Sequence, residues 1–144
     1  MAGTLVFVFG TLKQGFPNFA VNQGRRFGGV FCTLERLPLW LVGERHVPWL
    51  IDSPGEGEQV AGEVYEVDDA ALAAMDELEG VGLPDGYHRT TIRVRSPDDP
   101  TELSVQIYMK HAHQLVRAEV RQGPLAEYTP AHATLYRKRG EQAY

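Results

Sequence analysis

The sequence predicts an α+β fold, in which strands dominate and form a curved sheet or small barrel around one main helix. Short runs of apolar and β-branched residues are separated by Gly- and Pro-containing turns, a pattern typical of strands. Only residues 69–79 combine a strong helical pattern with clear start and stop signals. Because strands outnumber helices, the pattern favours the α+β class.

The elements follow one another without an internal repeat or a linker, so residues 1–144 are predicted to form a single domain. Residues 46–53 are expected to be extended. The weaker C-terminal third is predicted to be helical over 113–121 and 130–138, the latter beginning after Thr129 with Pro130 in its first turn. Strands are predicted at residues 4–9, 27–35, 38–43, 59–67, 87–95 and 103–109, with a helical turn at 18–23.

Composition excludes several classes of function. Apolar residues make up 43% and charged residues 23%, as in ordinary globular proteins. A net charge of −5 without a long basic run argues against a nucleic-acid partner. No window of about 18 apolar residues and no signal-peptide pattern is present, so we expect a cytoplasmic protein with no membrane partner. The single cysteine, Cys32, fits a reducing compartment.

The predicted helix places one carboxylate on its apolar side. Asp68 or Asp69 provides the N-cap and Gly80 the stop. At about 100° per residue, Glu79 falls inside the apolar sector and Glu77 points to the opposite side. The apolar sector consists of Ala71, Leu72, Met75 and Leu78.

An inward Glu79 is expected to have a raised carboxyl pKa. The helix C-terminus is the negative end of the dipole, burial disfavours the charged form, and Asp76 and Glu77 add like charge. A raised carboxyl pKa is what a general acid or base near neutral pH needs. The alternative is that the last turn frays and Glu79 turns into solvent.

The first strand ends in a glycine-containing loop, "FGTLKQGFPN". Gly10 and Gly15 have the spacing of a phosphate-binding loop, but Phe16 and Pro17 follow where that motif requires Lys and Ser or Thr. The loop is therefore not a nucleotide site. Its outward amides could hold another anionic oxygen, such as a carboxylate or an oxyanion. An ordinary strand–turn connection, with glycine supplying an unusual φ, remains the alternative.

Other reactive side chains carry weaker signals. His111 and His113 have no third ligand at metal spacing, so no metal is expected. Cys32 lies in an apolar stretch without a nucleophile motif and is expected to be a buried structural thiol. Tyr87 and Tyr108 are expected on strands, as core residues or with hydroxyls that orient a polar ligand in a cavity.

Several of these segments together resemble the γ-glutamylcyclotransferases, and most of all their γ-glutamylamine branch. The similarity covers about residues 5–110 and keeps the order of the motifs. The matching segments are "FVFGTLKQGFPN", "HVPWLIDSPGEGEQVAGEVYEVD", "AAMDELEG" and "YHRTTIRV".

The resemblance implies a small mixed β-barrel with flanking helices around one pocket, without cofactor or metal. It implies that the loop binds a γ-glutamyl group through backbone amides and that Glu79 is the acid/base. Carried over residue by residue, the loop is Phe9, Gly10, Thr11 and Leu12. The family usually has Tyr where this chain has Phe9, which puts the role of that side chain in doubt.

The implied partner is a small γ-glutamyl compound. Its free α-amine attacks its own γ-carbonyl, giving 5-oxoproline and releasing an amine. Two alternatives stay open, namely a cyclotransferase for γ-glutamyl amino acids or a γ-glutamylated natural product, and a non-catalytic binding module on the same fold. The sequence assigns neither the leaving amine nor an oligomeric state.

Overall fold

The computed structural model describes residues 3–138. Within these residues there are eight strands: β1 Thr4–Val8, β2 Arg25–Thr33, β3 Leu39–Val42, β4 Val47–Leu50, β5 Ala61–Val67, β6 His88–Ser96, β7 Asp99–Met109 and β8 Val120–Gln122. The helices are α1 Asp69–Glu79, α2 Ala112–Leu115 and α3 Pro130–Ala133, and a 3₁₀ turn covers Phe19–Val21.

Five strands close into a barrel in the order β1-β5-β2-β6-β7. Closure is made by β1, which pairs antiparallel with β5 and parallel with β7, where Val6 lies opposite Gln106. The other three strands form a small sheet in the order β4-β3-β8. The predicted α+β class with a small mixed barrel is therefore confirmed.

Strand β1 is buried on both faces, which fixes the position of the loop that follows it. Because successive side chains of a strand point to opposite faces, Phe7 belongs to one core cluster, whereas Val6 and Val8 belong to a second. The second cluster also contains Tyr65 and Met75, so it packs α1 against the barrel.

Helix α1 begins and ends where the sequence predicts. The Asp68 side chain accepts a hydrogen bond from the Ala71 amide at 2.8 Å, and Gly80 adopts the left-handed conformation with φ 68°. The expectation that Leu78 lies on the buried face is wrong, since its side chain is 40% exposed. Only the first turns of α1 cover the core, and its last turn borders a cavity instead.

The C-terminal third differs most from the prediction. The helix expected over 113–121 is limited to α2, and β8 pairs with β3 because that strand offers an open edge. The helix expected over 130–138 is limited to α3. Cys32 is half-buried rather than buried, because it lies on the barrel wall, paired with Ala61 and Arg95.

Candidate active site

One cavity of about 750 Å³ opens beside the end of β1. It lies where the loop after β1, the last turn of α1 and the β3–β4 hairpin meet the C-terminal end of β7. Residues predicted from the sequence to act at a site all line it: Phe9, Gly10, Thr11, Leu12, Glu79, Tyr87 and Tyr108. The fold thus brings together residues that are up to 99 positions apart in the chain.

Glu79, the last residue of α1, lines this cavity. Water reaches the side chain only in part, and burial raises the pKa of Glu79 to about 7. The Tyr87 amide donates to the Glu79 carbonyl at 2.9 Å and so anchors the end of the helix. The predicted rise in pKa is therefore confirmed, with burial as its cause. The alternative of a frayed last turn is wrong, because α1 continues to Glu79 and ends at the Gly80 cap.

Asp76 adds no charge to this effect because it is engaged elsewhere. Arg89 pairs with it, with 2.9 Å between Nε and Oδ1, and the Tyr108 hydroxyl donates to the same Oδ1 at 2.6 Å. Burial and this carboxylate raise the pKa of Tyr108. Tyr108 therefore presents the surface of its ring to the cavity, while its hydroxyl proton is held by α1.

Tyr87 is held in a comparable way. Its hydroxyl donates to the Pro48 carbonyl at 2.7 Å, which ties the start of β6 to the β3–β4 hairpin. Burial, followed by the nearby Glu79 carboxyl, raises the pKa of Tyr87 well above its usual value. Both tyrosines thus shape the cavity with neutral rings. Their role in substrate binding stays a prediction.

Lys110 introduces a positive charge at the end of β7. It is 4% exposed, and its ammonium lies 4.4 Å from the centre of the Trp49 ring and 4.6 Å from that of Tyr87. It also donates to the Asp85 carbonyl. Its charge lowers the pKa of Glu79, against the larger effect of burial. Lys110 is thereby part of the electrostatic environment of the carboxyl.

The loop after β1 is fixed through its carbonyls. The Gly10 carbonyl accepts from the Lys13 amide at 3.1 Å, that of Thr11 from the Asn18 amide at 2.8 Å, and that of Leu12 from Asn22 Nδ2 at 3.1 Å. No acceptor within residues 3–138 is hydrogen-bonded to the amides of Gly10, Thr11 or Leu12. A rigid loop with spare amides suits an anionic or carbonyl oxygen.

Close packing, not an unusual φ, explains glycine at position 10. A Cβ atom there would lie 2.9 Å from Pro48 Cγ. The positive φ of this loop occurs at Gly15, where φ is 84°. The suggestion that Gly10 needs a positive φ is therefore wrong.

Sequence reasoning missed Lys110, Asn18 and Tyr136, which also line the cavity. The only signal in the sequence was a lysine directly after the apolar strand end "IYM", which is uncommon for a buried position. Nothing local marks Asn18 or Tyr136, because each acts through contacts with a distant segment.

The histidine group on the surface does not converge on a metal. The His88 and His111 rings stack with centroids 3.9 Å apart, and His111 stacks on His113 at 5.4 Å. Within the described part of the chain, no three His, Cys, Asp or Glu side chains are grouped so that they could hold a metal ion. Over the same residues, no helix has the length and apolar character needed to cross a membrane.

Comparison with known proteins decides the family. The sequence model of the family described as gamma-glutamyl cyclotransferase, AIG2-like, matches residues 6–130. The chain belongs to this family. This match confirms the resemblance found in the sequence.

Individual relatives agree with this assignment. The chain is 45% identical over 95 residues to a gamma-glutamylaminecyclotransferase of Rattus norvegicus, covering 62% of each chain, and 43% identical over 100 residues to that of Homo sapiens, covering 66% of this chain and 64% of the human protein. The matches thus span just under two thirds of these relatives. A crystal structure of an AIG2-like protein from Mus musculus superimposes with a TM-score of 0.79 at 30% identity, covering 99% of this chain and 100% of that one.

Proposed function

We propose that this chain is a γ-glutamylamine cyclotransferase. One observation carries the proposal: the Glu79 carboxyl, with its pKa raised to about 7, shares a cavity with a rigid loop whose amides are spare. A raised carboxyl pKa is suited to moving a proton near neutral pH. The names of the rat and human relatives supply the substrate class.

The reaction converts a γ-glutamyl amine into 5-oxoproline and a free amine. The α-nitrogen of the substrate forms a bond to its own γ-carbonyl carbon, and the bond from that carbon to the leaving nitrogen breaks. The α-amine starts protonated and must lose a proton to become a nucleophile. It loses a second proton when the lactam nitrogen forms, and the leaving nitrogen gains both as it departs as an ammonium ion. No water molecule and no oxidant enters the balance.

Glu79 moves these protons in the proposed mechanism. Its carboxylate takes each of the two protons in turn from the α-nitrogen and donates it to the departing nitrogen. A pKa of about 7 leaves both protonation states accessible near neutral pH, which a group with two opposite roles requires. Glu77, in the same helix, is exposed and lacks the burial that raises the pKa of Glu79.

The loop stabilises charge in the same mechanism. Attack on the γ-carbonyl places negative charge on its oxygen, and the amides of Gly10, Thr11 and Leu12 are available donors. Because the loop carbonyls are already hydrogen-bonded, these amides need little reorganisation when the charge forms. The cavity also restricts a flexible substrate chain to its cyclising conformation.

A product screen tests the proposal directly. The chain is incubated with a panel of γ-glutamyl amines and γ-glutamyl amino acids, and 5-oxoproline is quantified by mass spectrometry. We expect 5-oxoproline to form from γ-glutamyl amines in equal amount to the released amine. An N-acetylated substrate should yield neither, because its nucleophile is blocked. Free glutamate in place of 5-oxoproline would show hydrolysis and refute the proposal.

The same panel separates the rival functions. Preference for γ-glutamyl amino acids would move the chain to the other substrate class. Ligand binding without turnover of any compound would support a non-catalytic binding module. A module of that kind has no need for an inward carboxyl with a raised pKa, which is why the enzyme is favoured.

A further inference from the structure

The segment after α3 contributes a side chain to the cavity. Tyr136 lines the same space as Glu79 and the loop after β1, and it lies outside residues 6–130, to which the family description applies. Two hydrogen bonds between Arg45 and Arg137 hold the segment there. The Arg137 amide donates to the Arg45 carbonyl at 2.9 Å, and Arg45 Nη1 donates back to the Arg137 carbonyl at 3.3 Å.

A single buried amide group fixes two hydroxyls in this cavity. Asn18 Nδ2 donates to Thr11 Oγ1 at 2.9 Å and to Tyr136 Oη at 3.1 Å. Asn18 is itself held, since its backbone amide donates to the Thr11 carbonyl at 2.8 Å. Because both hydroxyl oxygens are bonded to one nitrogen, they lie no more than about 6 Å apart.

The hydroxyl protons of this pair are left for another acceptor. Each hydroxyl has one proton to donate, and here each oxygen already accepts from Asn18. Among residues 3–138, no atom accepts a hydrogen bond from Thr11 Oγ1 or Tyr136 Oη. Two donors at this spacing, facing one cavity, match the two oxygens of a carboxylate.

The charge around the pair favours an anion. Arg45 and Lys138 line the cavity from the segments that hold Tyr136. The carboxylates that line it besides Glu79 are those of Glu77 and Asp85, which come from α1 and the loop after it. The side of the cavity bordered by the C-terminal segment therefore offers cationic groups along with the two hydroxyls.

We infer that the hydroxyls of Tyr136 and Thr11, positioned by Asn18, bind the α-carboxylate of the γ-glutamyl group. This inference rests on the proposed function, and it gives the C-terminal segment a role in substrate binding. Holding the carboxylate there fixes the α-carbon inside the cavity that Glu79 and the loop amides also line. The amine on that carbon is then directed toward Glu79, and the γ-carbonyl toward the loop amides.

The test compares two substrates that differ only at this group. Wild type and Tyr136→Phe are assayed with a γ-glutamyl amine and with its α-carboxamide, which has the same size but no charge. We expect the variant to lose at least about tenfold in kcat/KM on the carboxylate substrate, mainly through KM, because it loses a hydrogen bond to a charged group. Its loss on the carboxamide should stay within about threefold.

Tyr128→Phe is the matched control. Tyr128 lies in the same C-terminal third, and its hydroxyl is buried without a partner among the described residues. This variant should match wild type on both substrates. Circular dichroism and a thermal melt verify that each variant folds. If Tyr136→Phe does not fold, Thr11→Val removes the paired hydroxyl and should show the same selective loss.

The outcomes separate this inference from the proposed function. An equal loss on both substrates would show that Tyr136 acts only through packing, and no loss on either would show that it does not contact substrate. Both results overturn the inference and leave the cyclotransferase proposal intact. A folded wild type that releases 5-oxoproline from no γ-glutamyl compound overturns the proposed function, and this inference with it.

Discussion

The ammonium of Lys110 opposes the effect of burial on the Glu79 carboxyl. Burial raises the pKa of Glu79 to about 7, and the charge of Lys110 is what keeps it from rising further. Lys110 sits at the end of β7, held by the Trp49 and Tyr87 rings and by the Asp85 carbonyl. A fixed cation and a buried acid together set the pH at which this site can exchange a proton.

Glu79→Gln is expected to abolish turnover while the fold is kept. The amide is nearly isosteric but cannot accept the substrate proton, and loss of a general acid/base costs about 10²–10⁴-fold. The rate of 5-oxoproline release measures the effect. Glu77→Gln removes an exposed carboxylate that also borders the cavity, and it should be close to silent because that carboxylate has no part in the pKa shift of Glu79. Activity of Glu79→Gln within about tenfold of wild type would reject Glu79 as the acid/base.

The pH profile should report on Lys110. Since the base must be unprotonated in the free enzyme, kcat/KM of wild type should rise with pH through about 7. Lys110→Met removes the cation that stabilises the carboxylate, so this limb should move to higher pH. Lys110→Arg keeps the charge and should keep the limb close to its original position. A limb that stays in place in Lys110→Met, or moves to lower pH, contradicts the coupling.

Glu79 should also make stability depend on pH. Its pKa is raised from an ordinary 4.5 to about 7, so the folded state binds this proton more tightly than the unfolded state. The resulting stabilisation is complete below about pH 4.5 and is lost as pH rises to 7. At pH 8 the free energy of unfolding of Glu79→Gln should therefore exceed that of wild type by about 1–3 kcal/mol, as measured by urea denaturation. The gap should narrow toward pH 5, and Glu77→Gln should show none.

Gly10→Ala is expected to damage the site more than the fold. Its Cβ would lie 2.9 Å from Pro48 Cγ, and Pro48 cannot easily withdraw, because its carbonyl accepts from Tyr87. We expect kcat/KM to fall at least about tenfold, in line with misplacement of catalytic donors. Gly15→Ala is the contrast. It meets no atom within 4 Å but has φ 84°, so it should cost about 1–2 kcal/mol of stability with activity preserved.

Phe9→Tyr tests the departure from the family pattern. Phe9 is 7% exposed, belongs to the barrel core and also borders the cavity. Activity should be unchanged or modestly raised, because one recovered hydrogen bond contributes about 0.5–1.5 kcal/mol. Suppose steady-state kinetics show a lost activity and circular dichroism shows a native fold. The pocket would then be built around an apolar group at this position. The γ-glutamylamine assignment would lose most of its support, and a binding module or an altered substrate would be favoured.

Features fixed by neighbouring residues could be read from the sequence. The start and end of helix α1 were predicted to within about a residue because Asp68 and Gly80 act within one turn of them. The inward direction of Glu79 followed from helical periodicity. Strand β1 and the glycine-containing loop after it were predicted from a strand pattern that breaks at Gly10. These signals indicated the fold class and an inward Glu79; the role of Glu79 as acid/base came from the family resemblance and stays a prediction.

Only the tertiary structure decided what surrounds that acid. Barrel closure brings the end of β7, and with it Lys110, to the helix end that carries Glu79. The C-terminal segment packs back so that Tyr136 meets Asn18, 118 positions earlier, and β8 pairs with β3 instead of extending a helix. Such contacts leave no local trace, because their stability comes from hydrogen bonds and buried surface that form only between distant segments.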